Sequence, residues 1–187
     1  MKKSVIAFLL LAAIFVSGGT VYLKTCIQEK PELKIVFIRH GEKPEKGGNL
    51  TCRGLNRALQ LPAVITQKFG VPDFTYVPQL GMGEKTLHAR MFETLIPLVS
   101  KYNLVINSKF EEKDTLGVAS ELKSKTGTVL IVWEHKAISG IVHALGVNDN
   151  VRWPDDDYDS IWIVTIKNGK ASFSTDKEGL NPSNDCP

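Results

Sequence analysis

Hydrophobic positions along the chain fall into short apolar runs separated by stretches of helical periodicity. The run Lys34 to Ile38, within "KIVFIRHGEKP", reads as a strand buried on both faces that ends abruptly in Arg39, His40, Gly41 and Glu42. A loop rich in Gly, Lys and Pro follows to Asn49. A helix is then expected from Thr51 to about Lys68, kinked at Pro62 and stopped at Gly70. Phe74 to Val77 predicts a short strand. A glycine-containing loop leads to a second helix near Leu87 to Tyr102, which Pro97 should bend or interrupt. Leu104 to Ile106 is the third expected strand. Asp114 suits the N-cap of a helix to Lys125, with Gly127 just past its end. "TVLIVW", Thr128 to Trp133, is the most continuously apolar strand, and a helix from about Ile138 to Leu145 follows it. "SIWIVTI" and "ASFS" predict two closing strands joined by an Asn168-Gly169 turn.

Alternating strands and helices, with strands apolar on both faces, predict a mostly parallel sheet covered on each side. The expected fold class is α/β: a three-layer α/β/α sandwich with a C-terminal antiparallel hairpin, over residues 30–187. The 187 residues, 43% hydrophobic and 23% charged, suit one domain with a substantial core. The first 25 or so residues stand apart. "MKKSVIAFLLLAAIFVSGGT" has a basic start, an apolar run and small residues, the layout of a bacterial secretory signal. The uncharged run Ser4 to Leu23 is also about the ~20 residues a membrane anchor needs. Either way the domain is expected in the periplasm or outside the cell, with membrane association if the segment is retained. Setting Lys2 and Lys3 aside lowers the net charge from +3 to +1. No basic stripe invites nucleic acid.

Three cysteines, Cys26, Cys52 and Cys186, are compatible with a disulfide in an oxidising compartment. Cys26 with Cys186 is the expected pair if the chain ends meet; three unpaired thiols is the alternative. No Cys/His spacing suggests zinc.

In sheets of this kind ligands sit beyond the carboxyl ends of the strands. Arg39-His40 ends the first strand and Trp133-Glu134-His135 ends the most apolar one. If those strands are neighbours, His40 and His135 face one crevice. A neutral imidazole is a nucleophile, and an arginine beside it binds and neutralises a phosphate. Two histidines with arginines therefore suit phosphoryl transfer without a metal, which needs mainly positioning and charge stabilisation.

Four motifs carry a family resemblance. "FIRHGEKP" resembles the Arg-His-Gly signature of the histidine phosphatase superfamily, also called phosphoglycerate mutase-like. "LTCRGLNRA" is similar to its Leu-Thr-x-x-Gly-x-x-x-Ala helix start, and "ARMFET" to its Arg-Ala-x-x-Thr helix. "VLIVWEH" resembles the strand that ends in its second histidine. The resemblance runs from about Lys34 to Ile166. It implies His40 as nucleophile and Arg39, Arg90 and His135 as phosphoryl-binding residues, with Gly41 and Glu42 also at the substrate, and no metal or cofactor. The loop "VPQLGMGEKTLHAR", the "WEH" in place of Ser-His or Thr-His, and "WPDDDYDSIW" depart from the commonest pattern and resemble a small secreted branch.

The leaving alkoxide needs a proton. Glu112 is the first candidate donor, because "FEE" lies where many members carry Leu-x-Glu; Glu134 and Asp155 to Asp159 are rivals. His88, His143 and the tryptophans Trp133, Trp153 and Trp162 have ordinary packing roles to fill, and "PDDD" reads as a polar loop. The expected activity is hydrolysis of a small phosphate monoester through a phosphohistidine. A phosphomutase sharing the same residues, or a non-catalytic module binding phosphorylated molecules, are the alternatives. Nothing in the sequence sets an oligomeric state.

Overall fold

The computed structural model describes residues 32–81, 83–84 and 86–187. The signal or anchor segment and Cys26 lie outside them. Among the described residues, no helix is long and apolar enough to cross a membrane.

Six strands form one sheet in the order β3-β2-β4-β1-β5-β6. Strand β1 is Leu33–Arg39, β2 is Phe74–Tyr76, β3 is Ile106–Asn107 and β4 is Gly127–Trp133; these four run parallel. Strands β5, Ser160–Lys167, and β6, Lys170–Lys177, add the antiparallel hairpin at one edge. Asn168 and Gly169 both take positive φ, 51° and 76°, as the tight hairpin turn requires.

Strand β1 shows why the apolar runs are continuous. Ile35 and Phe37 lie in the core on one face, and Val36 and Ile38 in the core on the other. Helices α1, Cys52–Phe69, and α2, Ala89–Tyr102, cover the Val36 face with Leu61, Ile65, Met91 and Leu95. Helices α3, Thr115–Leu122, and α4, His135–Ala144, cover the Phe37 face with Val118, Leu122, Ile138 and Val142. Each such side chain fully buried contributes about 1.5–3 kcal/mol, which holds the three layers together.

Local signals place the helix ends. Thr51 caps α1 by accepting from the Gly54 N–H, and Asp114 caps α3 through Gly117. Pro62 and Pro97 both lie inside helices, and α2 runs unbroken through Pro97, so of the bend or interruption expected there the interruption does not occur. Leu95, Leu98 and Val99 are buried on both sides of that proline, so packing holds the turn together. Helix α4 starts at His135, three residues before the expected Ile138. Helix α3 ends at Leu122 rather than Lys125.

The disulfide joins Cys52 to Cys186, which corrects the expected Cys26–Cys186 pair. The reason is in the C-terminal tail, which returns across α1. Asn56 Nδ2 donates to the carbonyls of Ser183 and Asp185, and Arg53 donates to Asn181.

Candidate active site

Strands β1 and β4 are adjacent and in register, with Arg39 opposite Trp133. His40 and the Glu134-His135 pair therefore leave the sheet side by side. His40 is fully buried; its Nδ1 donates to the Gly41 carbonyl at 2.7 Å, which turns Nε2 toward Glu134 Oε2, 3.3 Å away. A backbone carbonyl only accepts, so Nδ1 carries the proton and Nε2 the lone pair. Burial pushes the His40 pKa down, against the pull of Glu134 and Gly41, and favours the neutral imidazole.

The loop that carries His40 is pinned against α1. A Cβ on Gly41 would stand 2.8 Å from the Gly54 carbonyl, and one on Gly54 would run into the backbone of Glu42. Thr51 N–H also donates to the Glu42 carbonyl at 2.9 Å. Only two glycines let loop and helix approach so closely. On the other side, Gly41 N–H donates to Thr94 Oγ1 at 2.9 Å, and that hydroxyl donates to the Arg90 carbonyl at 2.7 Å. One hydroxyl thus joins the His40 loop to the turn of α2 that presents Arg90.

Arg39 is buried under the loop that follows α4. Its Nη1 donates to the Asp155 carbonyl at 2.5 Å, and its guanidinium stacks 3.9 Å from the centre of the Tyr158 ring. Arg90 Nη2 donates to Glu134 Oε2 at 3.0 Å. His135, the first residue of α4, donates from Nε2 to Asp155 Oδ1 at 2.9 Å, and its Nδ1 lies against Glu134 Oε1. Among the described residues, Arg39 Nε and Arg90 Nε are buried and make no hydrogen bond. A cavity of about 420 Å³ opens beside His135, lined also by Lys136, Ser139, His143, Arg152 and Asp155.

The structure thus brings Arg39, His40, Arg90 and His135 together around one carboxylate, that of Glu134. It does not bring Glu112 or Glu42 to them. Glu112 is paired with His88 Nδ1 at 2.8 Å, while its carbonyl accepts from Trp133 Nε1. Both oxygens of Glu42 are taken by Arg57 and Arg53 on α1. Asp157 holds its own turn through Ser160 and the Asp159 N–H. Trp153 stacks on Trp162 with centroids 4.8 Å apart, a wall of the core, and His143 bonds the Val147 carbonyl. Sequence reasoning assigned no role to Thr94, although "ARMFET" contains it, or to Tyr158.

His40, Glu134 and His135 each offer one ligand atom within 4.8 Å of the others, a spacing that could hold a metal ion. Arg90, 3.0 Å from the same carboxylate, works against a second cation there.

No family model matches the chain, and no curated protein matches it. Solved structures do. A phosphoglycerate mutase from Bacillus anthracis superposes with a TM-score of 0.52 at 12% identity, over 83% of this chain and 94% of that one. A mycobacterial glucosyl-3-phosphoglycerate phosphatase, solved with inorganic phosphate, gives 0.50 at 13% identity, over 76% and 95%. An Agrobacterium tumefaciens protein assigned as the phosphohistidine phosphatase SixA gives 0.53 at 11%, over 76% and 97%. The chain has the phosphoglycerate mutase-like fold, the fold of the histidine phosphatases.

Proposed function

We propose that this protein is a metal-independent phosphatase of the histidine phosphatase superfamily, hydrolysing phosphate monoesters through a phosphohistidine on His40. One observation carries the reading. A buried imidazole with its tautomer fixed by Gly41 presents Nε2 in a cradle where Arg39 Nε and Arg90 Nε are satisfied by no protein group among the described residues. Buried polar groups without partners call for a ligand. A phosphoryl group, with its oxygens on the two guanidinium groups and His135, would supply the partners.

In this scheme Nε2 attacks phosphorus in line while Arg39, Arg90 and His135 neutralise the oxygens. Water then hydrolyses the phosphohistidine. The phosphatase and mutase neighbours support phosphoryl chemistry on this fold. The Cys52–Cys186 bridge supports a periplasmic or secreted location, where disulfides persist.

The test is hydrolysis of p-nitrophenyl phosphate by the purified protein with EDTA present, beside His40→Ala. Expected are EDTA-resistant turnover, acid-labile labelling of the parent by a radiolabelled ester, and the loss of both in His40→Ala. Equal turnover in the two proteins would remove His40 as nucleophile. Turnover that needs an added sugar bisphosphate would make the protein a mutase. Phosphate binding without turnover would leave a binding module.

A further inference from the structure

Glu134 stands where the phosphoryl group has to go. Its two oxygens meet His40 Nε2, Arg90 Nη2 and His135 Nδ1, the set that should hold a phosphoryl group. Gly41 takes the proton of His40 Nδ1 and Asp155 Oδ1 meets His135 Nε2, so the remaining nitrogen of each ring faces the Glu134 carboxyl. A carboxyl between two ring nitrogens can exchange a proton with either. Burial pushes the Glu134 pKa up, but its contacts with His40 and Arg90 outweigh that and hold the empty-site carboxyl below the usual range. A phosphate dianion entering the same cradle reverses that balance, because two anions would then share one arginine and two imidazoles.

We propose that Glu134, and not Glu112, is the proton donor of the reaction: phosphate-ester binding draws a proton onto Glu134 and displaces it toward the leaving oxygen. The assignment rests on the phosphatase reading above. Glu134 is the N-cap residue of α4, yet its side chain makes no capping bond to the helix backbone and meets α4 only through His135. Glu112 is held by His88 and makes no hydrogen bond with His40, Arg90 or His135 among the described residues.

The proton count closes. His40 Nε2 bonds to phosphorus as the ester P–O bond breaks, and the departing oxygen takes the proton of Glu134 and leaves as an alcohol. Water then attacks phosphorus and passes one proton to the Glu134 carboxylate. The P–N bond returns its electron pair to Nε2, and phosphate leaves as the dianion.

Glu134→Gln and Glu112→Gln, each compared with the parent, test this. In calorimetric titrations of inorganic phosphate across buffers of different ionisation enthalpy, the parent should take up about one proton more than Glu134→Gln. With an alkyl phosphate, whose leaving group needs a proton, kcat of Glu134→Gln should fall about 100-fold or more. With p-nitrophenyl phosphate the fall should be about tenfold or less, and His40 should still be labelled. Glu112→Gln should keep the parent's ratio of alkyl to aryl turnover. The proposal is overturned if Glu134→Gln keeps that ratio, if it takes up the same proton, or if the selective loss appears in Glu112→Gln. Absence of label on His40 in the parent would instead overturn the phosphohistidine reading beneath it.

Discussion

Gly54 shows how much of a site can depend on a missing side chain. It lies on α1, away from the reacting atoms, yet a Cβ there would run into the Glu42 backbone two residues from His40. Gly54→Ala must therefore push the loop, or α1, outward. Overpacking of this kind costs about 1–3 kcal/mol, and displacing His40, the proposed nucleophile, costs rate more steeply than stability. We expect a lowered Tm and a kcat at least about tenfold down, whereas Gly83→Ala, with nothing near its added Cβ, should leave both unchanged. Equal kcat in the two variants would show that the loop is not held by this contact. Arg39, His40 and His135 were legible in the sequence because each sits at the end or start of an element whose hydrophobic pattern is strong; Arg90 was picked out only by the resemblance of "ARMFET" to a family helix. Thr94 stood in the "ARMFET" motif without a role, because which loop its hydroxyl bridges to the helix is set only by the fold.

At the scale of elements, the C-terminal tail works as a strap on α1. The Cys52–Cys186 bond spans 134 residues of sequence and joins the first turn of α1 to the end of the chain. Constraining so long a loop in the unfolded state typically contributes about 2–4 kcal/mol. The double variant Cys52→Ser/Cys186→Ser, or dithiothreitol, should lower the melting temperature followed by circular dichroism. An unchanged melt would mean that the hydrogen bonds of Asn56 and Arg53 to the tail are sufficient. The helices themselves were mostly readable from caps and periodicity. The exceptions are instructive: Pro97 leaves α2 unbroken because buried neighbours on both sides hold it, and α4 begins early because β4 delivers His135 straight into its first turn.

Across the whole molecule, a buried chain of charges ties the active-site loop to the far hairpin. Arg57 on α1 donates to both oxygens of Glu42 and, at 2.5 Å, to Glu178 just past β6. Burial pushes the Glu178 carboxyl up to about 8, against the pull of Arg57 and with help from Asp159 and Glu42. Its unfolded value is near 4.5. Between the two values the native state binds more protons than the unfolded one, so stability falls as pH rises through that window. Melting temperature should therefore decline from about pH 4.5 to about 8, and Glu178→Gln should flatten the decline. An identical slope in the variant would place the titrating group elsewhere. Nothing in the sequence around "DKEGL" marks Glu178 as buried, because its side-chain partner Arg57 is 121 residues away.

The sequence by itself determined the layers, the parallel core with its closing hairpin, and the two strand ends that meet at the candidate site. Those follow from local periodicity and from residues at element termini, which neighbours in the chain report. Only the tertiary structure decided that Cys186 pairs with Cys52, that Glu112 and Glu42 turn to His88 and Arg57, and that Glu134 fills the cradle of His40, Arg90 and His135. Each of those depends on side chains meeting across long sequence separations. There, distance and burial, rather than spacing along the chain, choose the partner.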